Sequence, residues 1–288
     1  MTPTSQKPGL GASLQPESLF FELGVGRIHC LRWGQSGDAA LLLLHGVNQT
    51  CHSWDEVALR IGDRFTVLAV DQRGHGQSAR AKDGDYGLDA MVGDLVALVA
   101  LLGLRRYAVV GTSMGAAHAI ALAVRRPHDV SRLAVVDFAP RIEQQGADKI
   151  RHVLELTWPS FEAAVEQIAR ANPRRTLDNV RDRLRHSLVP RTDGSWGWRL
   201  DPALLRHPRF RDGAMGAWED VDKVRCPTLV IRGEESDVLS PAMAQAMLER
   251  LPAGRLVTVP GAGHSVAGDN PDGFAGALLP FLLESAAP

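Results

Sequence analysis

A chain of 288 residues, 45% of them hydrophobic and 23% charged, can bury the core of one large α/β domain, with or without an insertion. Its 32 Lys and Arg almost cancel 33 Asp and Glu, so no overall field favours nucleic acid or an acidic membrane surface as a partner. The three cysteines, Cys30, Cys51 and Cys226, are odd in number, far apart and in no metal-ligand spacing; they exclude a disulfide framework and fit free thiols in a reducing compartment, with the cytoplasm as the default location.

Residues 1–17 have no apolar core of signal-peptide type and read as a polar leader, disordered or loosely attached. No apolar run approaches a membrane span. Strands are predicted at Leu19–Leu23 and Ile28–Trp33, which flank Gly24 and Gly26 as a hairpin. Two more follow at Leu41–His45 and Thr66–Val70, with a helix at Trp54–Ile61 between them. A helix over Leu88–Leu102 has apolar residues at helical spacing and stops at Gly103. Strand Tyr107–Val110, helix Met114–Arg125 and strand Leu133–Val136 come next. The chain closes with strand Leu229–Arg232, helix Pro241–Arg250, strand Leu256–Val259 and helix Pro271–Leu283. The later strands are continuous apolar runs, as strands covered on both faces are. Eight strands alternating with helices predict a mostly parallel sheet with helices on both faces.

The alternation fails between Pro140 and Val221. That stretch carries Trp158, Trp196, Trp198 and Trp218 among repeated prolines, and it is too long for an ordinary crossover. It reads as a helical cap inserted at 140–220, over the carboxyl ends of the strands, where open α/β sheets bind ligands. The core is then 18–139 and 221–288. Eleven arginines lie between Arg170 and Arg211. Most are expected on solvated helix faces beside acidic partners, while one or two could point into a pocket and hold an anionic substrate.

Three features fall at predicted strand ends. Residues 111–115, GTSMG, fit the G-x-S-x-G turn that exposes a nucleophilic Ser113 between strand and helix; the plain alternative is a helix cap. His45-Gly46-Val47 just after a strand can supply an oxyanion amide from Val47, with Gly46 allowing close approach and Met114 giving the second amide. His264, in the Gly-rich loop VPGAGH, can act as general base. His75 and His118 read as architectural. Two carboxylates could orient His264: Asp137 ends the strand LAVVD, and Asp237 follows TLVIRG. Either position opens onto the same rim. Trp54, Met114, Phe138, Trp158 and Trp218 are candidates for an apolar pocket wall, although cores use the same residue types.

The order of oxyanion loop, G-x-S-x-G, acid and His resembles the α/β-hydrolase superfamily over about Leu19 to Leu283. HGVNQT, RFTVLAVDQRGHGQS, VVGTSMG, VVDFAPRIE, LVIRGEESDVLS and VPGAGH are most similar to the branch of (acetamidomethylene)succinate hydrolase and related capped ester, amide and C–C bond hydrolases. The resemblance implies Ser113 as nucleophile, His264 as base, and Val47 and Met114 as oxyanion donors. In that branch the acid follows the sixth strand, which is Asp137. In the commoner pattern it lies three residues after the Gly of the seventh strand, where this chain has Ser236, with Asp237 one residue late. The reading leans to Asp137 and keeps Asp237 open.

The expected activity is a cofactor-free, metal-free serine hydrolase acting through an acyl-enzyme on a small ester, lactone or amide, including substrates with a carboxylate. The expected protein is a monomer or homodimer with no nucleic-acid or membrane partner. A C–C bond hydrolase acting on a vinylogous diketone uses the same three groups. A non-catalytic ligand-binding protein is the alternative of another class, since a fold by itself does not settle function.

Overall fold

The computed structural model describes residues 15–34, 39–138, 140, 152–211, 216–251 and 253–284. The leader thus lies outside the described residues up to 14. In chain order the first half runs β1 (Glu17–Leu23), β2 (Gly26–Trp33), β3 (Ala40–Leu44), a 3-10 turn (Cys51–Trp54), α1 (Asp55–Ile61), β4 (Thr66–Val70), α2 (Leu88–Leu101), β5 (Tyr107–Thr112), α3 (Met114–Arg125) and β6 (Val130–Val136). An inserted segment follows with β7 (Thr157–Trp158), α4 (Phe161–Ala171), α5 (Leu177–Ser187), β8 (Leu188–Pro190), β9 (Trp196–Trp198), α6 (Pro202–Arg206), α7 (Pro208–Arg211) and α8 (Trp218–Lys223). The last part contains β10 (Thr228–Gly233), α9 (Pro241–Arg250), β11 (Gly254–Val259), α10 (Val266–Asp269) and α11 (Pro271–Leu283).

The main sheet has eight strands in the order β1-β2-β4-β3-β5-β6-β10-β11. Strands β1, β2 and β4 pair antiparallel; the pairs from β4 through β3, β5, β6 and β10 to β11 are parallel. Each buried strand feeds both layers because successive side chains point to opposite faces. Leu42 and Leu44 of β3 join the cluster under α2 and α3, whereas Leu41 and Leu43 join the one under α1 and α11.

The strand order places the site. From β3 the chain moves outward to β4, then returns to β5 on the other side of β3. The connections leaving β3 and β5 therefore diverge, and the crevice between their carboxyl ends is where such sheets bind ligands. His45–Val47 and Ser113 leave the sheet there.

The inserted segment is not purely helical, contrary to the expectation for 140–220. Strands β7, β9 and β8 form a small antiparallel sheet, with Trp158 opposite Trp196 and Leu188 opposite Trp198. The reason is a hairpin signal: Trp-Gly-Trp alternates with period two, and Gly194 at φ 84° closes the turn before it. At Gly197 the exposed Arg191 side chain lies close over the strand. No helix among the described residues is long and apolar enough to cross a membrane.

Candidate active site

The strand β5 is buried along its whole length, and α3 starts immediately after Ser113. Joining them without a loop forces Ser113 to φ 52° and ψ −119°, a left-handed conformation that a non-glycine residue adopts at a cost of about 1–3 kcal/mol. The glycines make the turn possible. A β-carbon at Gly111 would collide with the Gly115 carbonyl, and one at Gly115 would collide with the carbonyls of Leu44 and His45. The turn is held by Ser113 N–H donating to Val136 O at 3.0 Å, while Ser113 O accepts from Ala116 N–H at 2.9 Å.

The loop after β3 lies against this turn. A β-carbon at Gly46 would stand 3.5 Å from Ser113 Cβ. The Gly46 N–H is occupied by Gln49 Oε1 at 3.0 Å. The next amide along this loop is that of Val47, and Met114, which follows Ser113, stands at the first position of α3, where N–H groups have no intrahelical acceptor. Burial lowers the His45 imidazole to about 3, with His75 adding to the effect. Neutral His45 donates from Nδ1 to Gly46 O at 2.7 Å and accepts at Nε2 from Gln72 N–H at 3.1 Å. His75 donates from Nε2 to Val47 O, and so fixes the peptide next to the candidate oxyanion amide.

Across the sheet, β6 ends in fully buried Asp137 at φ 46°. Its N–H donates to Ile231 O of β10 at 2.8 Å, which locks it to the neighbouring strand. Its carboxylate collects three donors: His264 Nδ1 at 2.7 Å and Ser236 Oγ at 2.6 Å on Oδ2, and Gly233 N–H at 3.1 Å on Oδ1. The His264 loop packs directly on β10, since a β-carbon at Gly233 would collide with the Gly263 carbonyl. Asp137 is thus the carboxylate bonded to His264. Asp237 is exposed in the bend after β10, and its charge acts on Arg174. The intervening Ser236 takes the place beside Asp137; its oxygen accepts from Val238 and Leu239 N–H, which leaves its proton for the carboxylate. Asp237 as an orienting acid is corrected on this geometry.

The sheet order, the strained Ser turn and the His–Asp pair agree with a comparison to known sequences, in which a model of the Alpha/beta hydrolase family matches residues 41–277. The chain belongs to that family. An esterase of Mycobacterium tuberculosis is 34% identical over 257 residues, spanning 86% of this chain and 83% of the esterase. The 2-(acetamidomethylene)succinate hydrolase of Mesorhizobium japonicum is 32% identical over 264 residues, 90% of this chain and 93% of that protein. The crystal structure of E-2-(acetamidomethylene)succinate hydrolase matches with a TM-score of 0.81 at 26% identity, covering 93% of this chain and 99% of that one. The protein is a hydrolase of the α/β-hydrolase fold.

In this hydrolase the pocket-wall candidates divide. Trp54 lines a cleft beside the Ser113 turn. Met114 and Phe138 are buried, Phe138 with its ring tip 3.1 Å from where a β-carbon of Gly216 would stand. Trp158 is used as core of the inserted segment: its ring meets Trp198 edge-on at 5.4 Å and its Nε1 donates to Gln167 at 2.9 Å. Trp218 lies beneath the Arg250 guanidinium, 4.8 Å from its ring centroid. Trp158 thus buries its area within the inserted segment, whereas Trp218 is partly buried and packs against the core beside Arg250 of α9.

Several supporting residues carry no motif that marks them. Asp71 is a buried hub that accepts from His29 Nδ1, Cys51 N–H and Gln77 N–H; burial opposes its charge, but these bonds hold the carboxyl below its ordinary range. Gln72 gives its side-chain amide to His45 O at 2.8 Å and accepts from His118 Nδ1. His118 Nε2 in turn accepts from Arg209 of α7 at 2.8 Å, so a chain of bonds runs from the β3 loop into the inserted segment. Desolvation lowers Arg209 to about 10, still cationic at neutral pH. Asp269 accepts from Gly263 N–H at 3.0 Å and pairs with Arg175 at 2.7 Å, which ties the His264 loop to the same segment. The sequence signal for these contacts is slight, because each partner is distant along the chain.

Among the described residues two groups of side chains could hold a metal ion: His29, Cys51 and Asp71, and His52, Asp55 and His186. The first is already joined internally, and burial raises the Cys51 thiol well above its ordinary range, so it is protonated. In the second, His52 bonds Asp55 at 3.0 Å and stacks on His186 at 3.5 Å. All three cysteines are free.

Proposed function

We propose that this hydrolase is a serine hydrolase that cleaves a small carboxylic ester, lactone or amide through an acyl-enzyme. Ser113 Oγ attacks the carbonyl carbon while His264 Nε2 takes its proton, and the Val47 and Met114 N–H groups receive the negative charge that develops on the carbonyl oxygen. Asp137 holds His264 in the tautomer with the proton on Nδ1 and stabilises the imidazolium. His264 then returns the proton to the leaving alcohol or amine. A water molecule, deprotonated by the same nitrogen, adds to the acyl carbon and releases the acid and free Ser113. The observation that carries this reading is the 2.7 Å bond from His264 Nδ1 to buried Asp137, which leaves Nε2 as the acceptor.

The segment 140–220 acts in this reading as the cap over the site. Supporting it are its ties to segments that follow the carboxyl ends of the strands: Arg209 to His118 of α3, Arg175 to Asp269 of α10, and the bridge between Leu200 and His75 in the loop after β4. The test is labelling by a fluorophosphonate together with a screen of p-nitrophenyl esters, lactones, amides and a ring-fission diketone. Modification at Ser113 and turnover lost in Ser113→Ala are expected. Absence of labelling with intact fold refutes the nucleophile, and turnover of the diketone alone assigns C–C cleavage instead of ester hydrolysis.

A further inference from the structure

The arginines of α5 differ in what they meet. Val180 and Leu184 are the buried residues of this helix, and Arg183 occupies the position between them on the same i, i+3, i+4 stripe. Arg181 and Arg185 flank the outer side and pair with Glu162, Asp178 and Asp182. Arg183 has no hydrogen bond or ion pair with any described residue. The carboxylates whose charge reaches it are Asp269, Asp55 and Glu56; Arg175 engages Asp269, His52 engages Oδ2 of Asp55 and Arg60 engages Glu56, while Oδ1 of Asp55 is buried without a partner. Loss of solvent contact, and then the neighbouring Arg175 charge, lower its guanidinium to about 9, so it remains cationic at neutral pH.

Arg183 lines a narrow cleft, open to solvent, together with Gln49, Ser53, Trp54, Thr112 and Ser265. No residue of this lining carries a carboxylate. The donors are unspent. Trp54 Nε1 is buried without a hydrogen-bond partner, and Trp54 itself is 1% exposed. The hydroxyls of Ser53, Thr112 and Ser265 engage no described residue. The Gln49 oxygen is taken by Gly46 N–H, which leaves its amide N–H₂ toward other partners. A guanidinium, an indole N–H and an amide N–H₂ can only donate, and hydroxyls can donate as well. Such a ring complements an anion, and an unpaired buried donor costs free energy until an acceptor arrives. Thr112 and Ser265 adjoin Ser113 and His264 in the chain, so an acceptor held here is within a small molecule's length of the reacting carbonyl.

We propose that this cleft is an anion-binding subsite of the active site, with Arg183 as its charged anchor, and that the substrate is a small ester or amide bearing a free carboxylate. This rests on Ser113 and His264 being the reacting pair. It gives the enzyme its selectivity: a neutral ester leaves the donors of the cleft unsatisfied, whereas a carboxylate at the far end of the acyl chain satisfies them.

The test compares mono-p-nitrophenyl glutarate with p-nitrophenyl pentanoate, which has the same acyl length and no charge. Wild type, Arg183→Gln and Arg183→Lys are assayed, with thermal unfolding to verify that each variant is folded. Wild type should favour the charged ester. Arg183→Gln should lose about 30-fold in kcat/KM on it, chiefly through KM, and change little on the neutral ester; Arg183→Lys should recover part of the loss. A second measurement needs no turnover: glutarate should raise the Tm of Ser113→Ala, and the rise should vanish in Ser113→Ala/Arg183→Gln. Equal use of both esters by wild type, or equal losses on both in Arg183→Gln, overturns the subsite while Ser113-dependent hydrolysis stands. Failure of fluorophosphonate to label Ser113 refutes the hydrolase reading itself, and the glutarate effect on Tm then reports the anion site independently.

Discussion

Replacing Asp137 by Asn tests the proposed orientation of His264 at a single oxygen. The carboxylate accepts three bonds, and none of its donors can reverse its role. Gly233 N–H is fixed by the backbone, Ser236 Oγ already accepts two backbone N–H groups, and His264 must keep its Nδ1 proton. An amide has one oxygen. If that oxygen faces His264 and Ser236, the new N–H₂ meets Gly233 N–H; if it faces Gly233, the N–H₂ meets His264 and drives it to the wrong tautomer. Either arrangement leaves a buried donor without an acceptor, a loss of about 1–3 kcal/mol in stability. Both remove the charge that stabilises the imidazolium. The expected loss of kcat is about 10⁴-fold, or about 5.4 kcal/mol of transition-state stabilisation. Steady-state kinetics on a p-nitrophenyl ester, with urea titrations of the same samples, measure both. Asp237→Asn serves as the comparison: that side chain is exposed, and its kcat should stay within about twofold. The reasoning is refuted if folded Asp137→Asn keeps kcat within tenfold of wild type, or if Asp237→Asn falls as far.

The strained turn predicts that Ser113→Gly is more stable than Ser113→Ala by about 1 kcal/mol, since only glycine adopts φ 52° without cost; urea midpoints of the two inactive variants decide it. Gly115→Ala drives a β-carbon into the backbone carbonyls of Leu44 and His45, and should lose at least about 3 kcal/mol or fail to accumulate as soluble protein. Acid should destabilise the fold through histidines buried in the neutral form. His45 falls to about 3 when folded, against about 6.5 unfolded, so its stabilisation is complete above pH 6.5 and is lost as pH falls toward 3. Between pH 6.5 and 4.5 this residue alone accounts for about 2 kcal/mol, and His118, lowered by burial and by Arg209, steepens the same limb. Urea unfolding as a function of pH measures it; a flat profile over that window contradicts the buried neutral state.

What the sequence discloses about this hydrolase follows the range over which its interactions act. Helices Pro241–Arg250 and Pro271–Leu283 and strand Thr66–Val70 have the predicted limits because caps and apolar runs are local. The G-x-S-x-G turn is legible for the same reason: its glycines answer to atoms within a few residues or on the adjacent strand. The choice between Asp137 and Asp237 depends instead on register across β6 and β10, where Asp137 N–H meets Ile231 O, and no local pattern encodes that pairing. Trp158 and Trp218 illustrate another loss, because a ring that packs and a ring that binds substrate look alike in composition. Arg183 lies between these cases. Its place between Val180 and Leu184 sets it on the apolar stripe of α5, where a solvated arginine has no reason to be, whereas Arg181 and Arg185 fall on the faces that carry acidic neighbours. Among the arginines of α5, helical phase is therefore the feature that separates Arg183 from its surface neighbours Arg181 and Arg185.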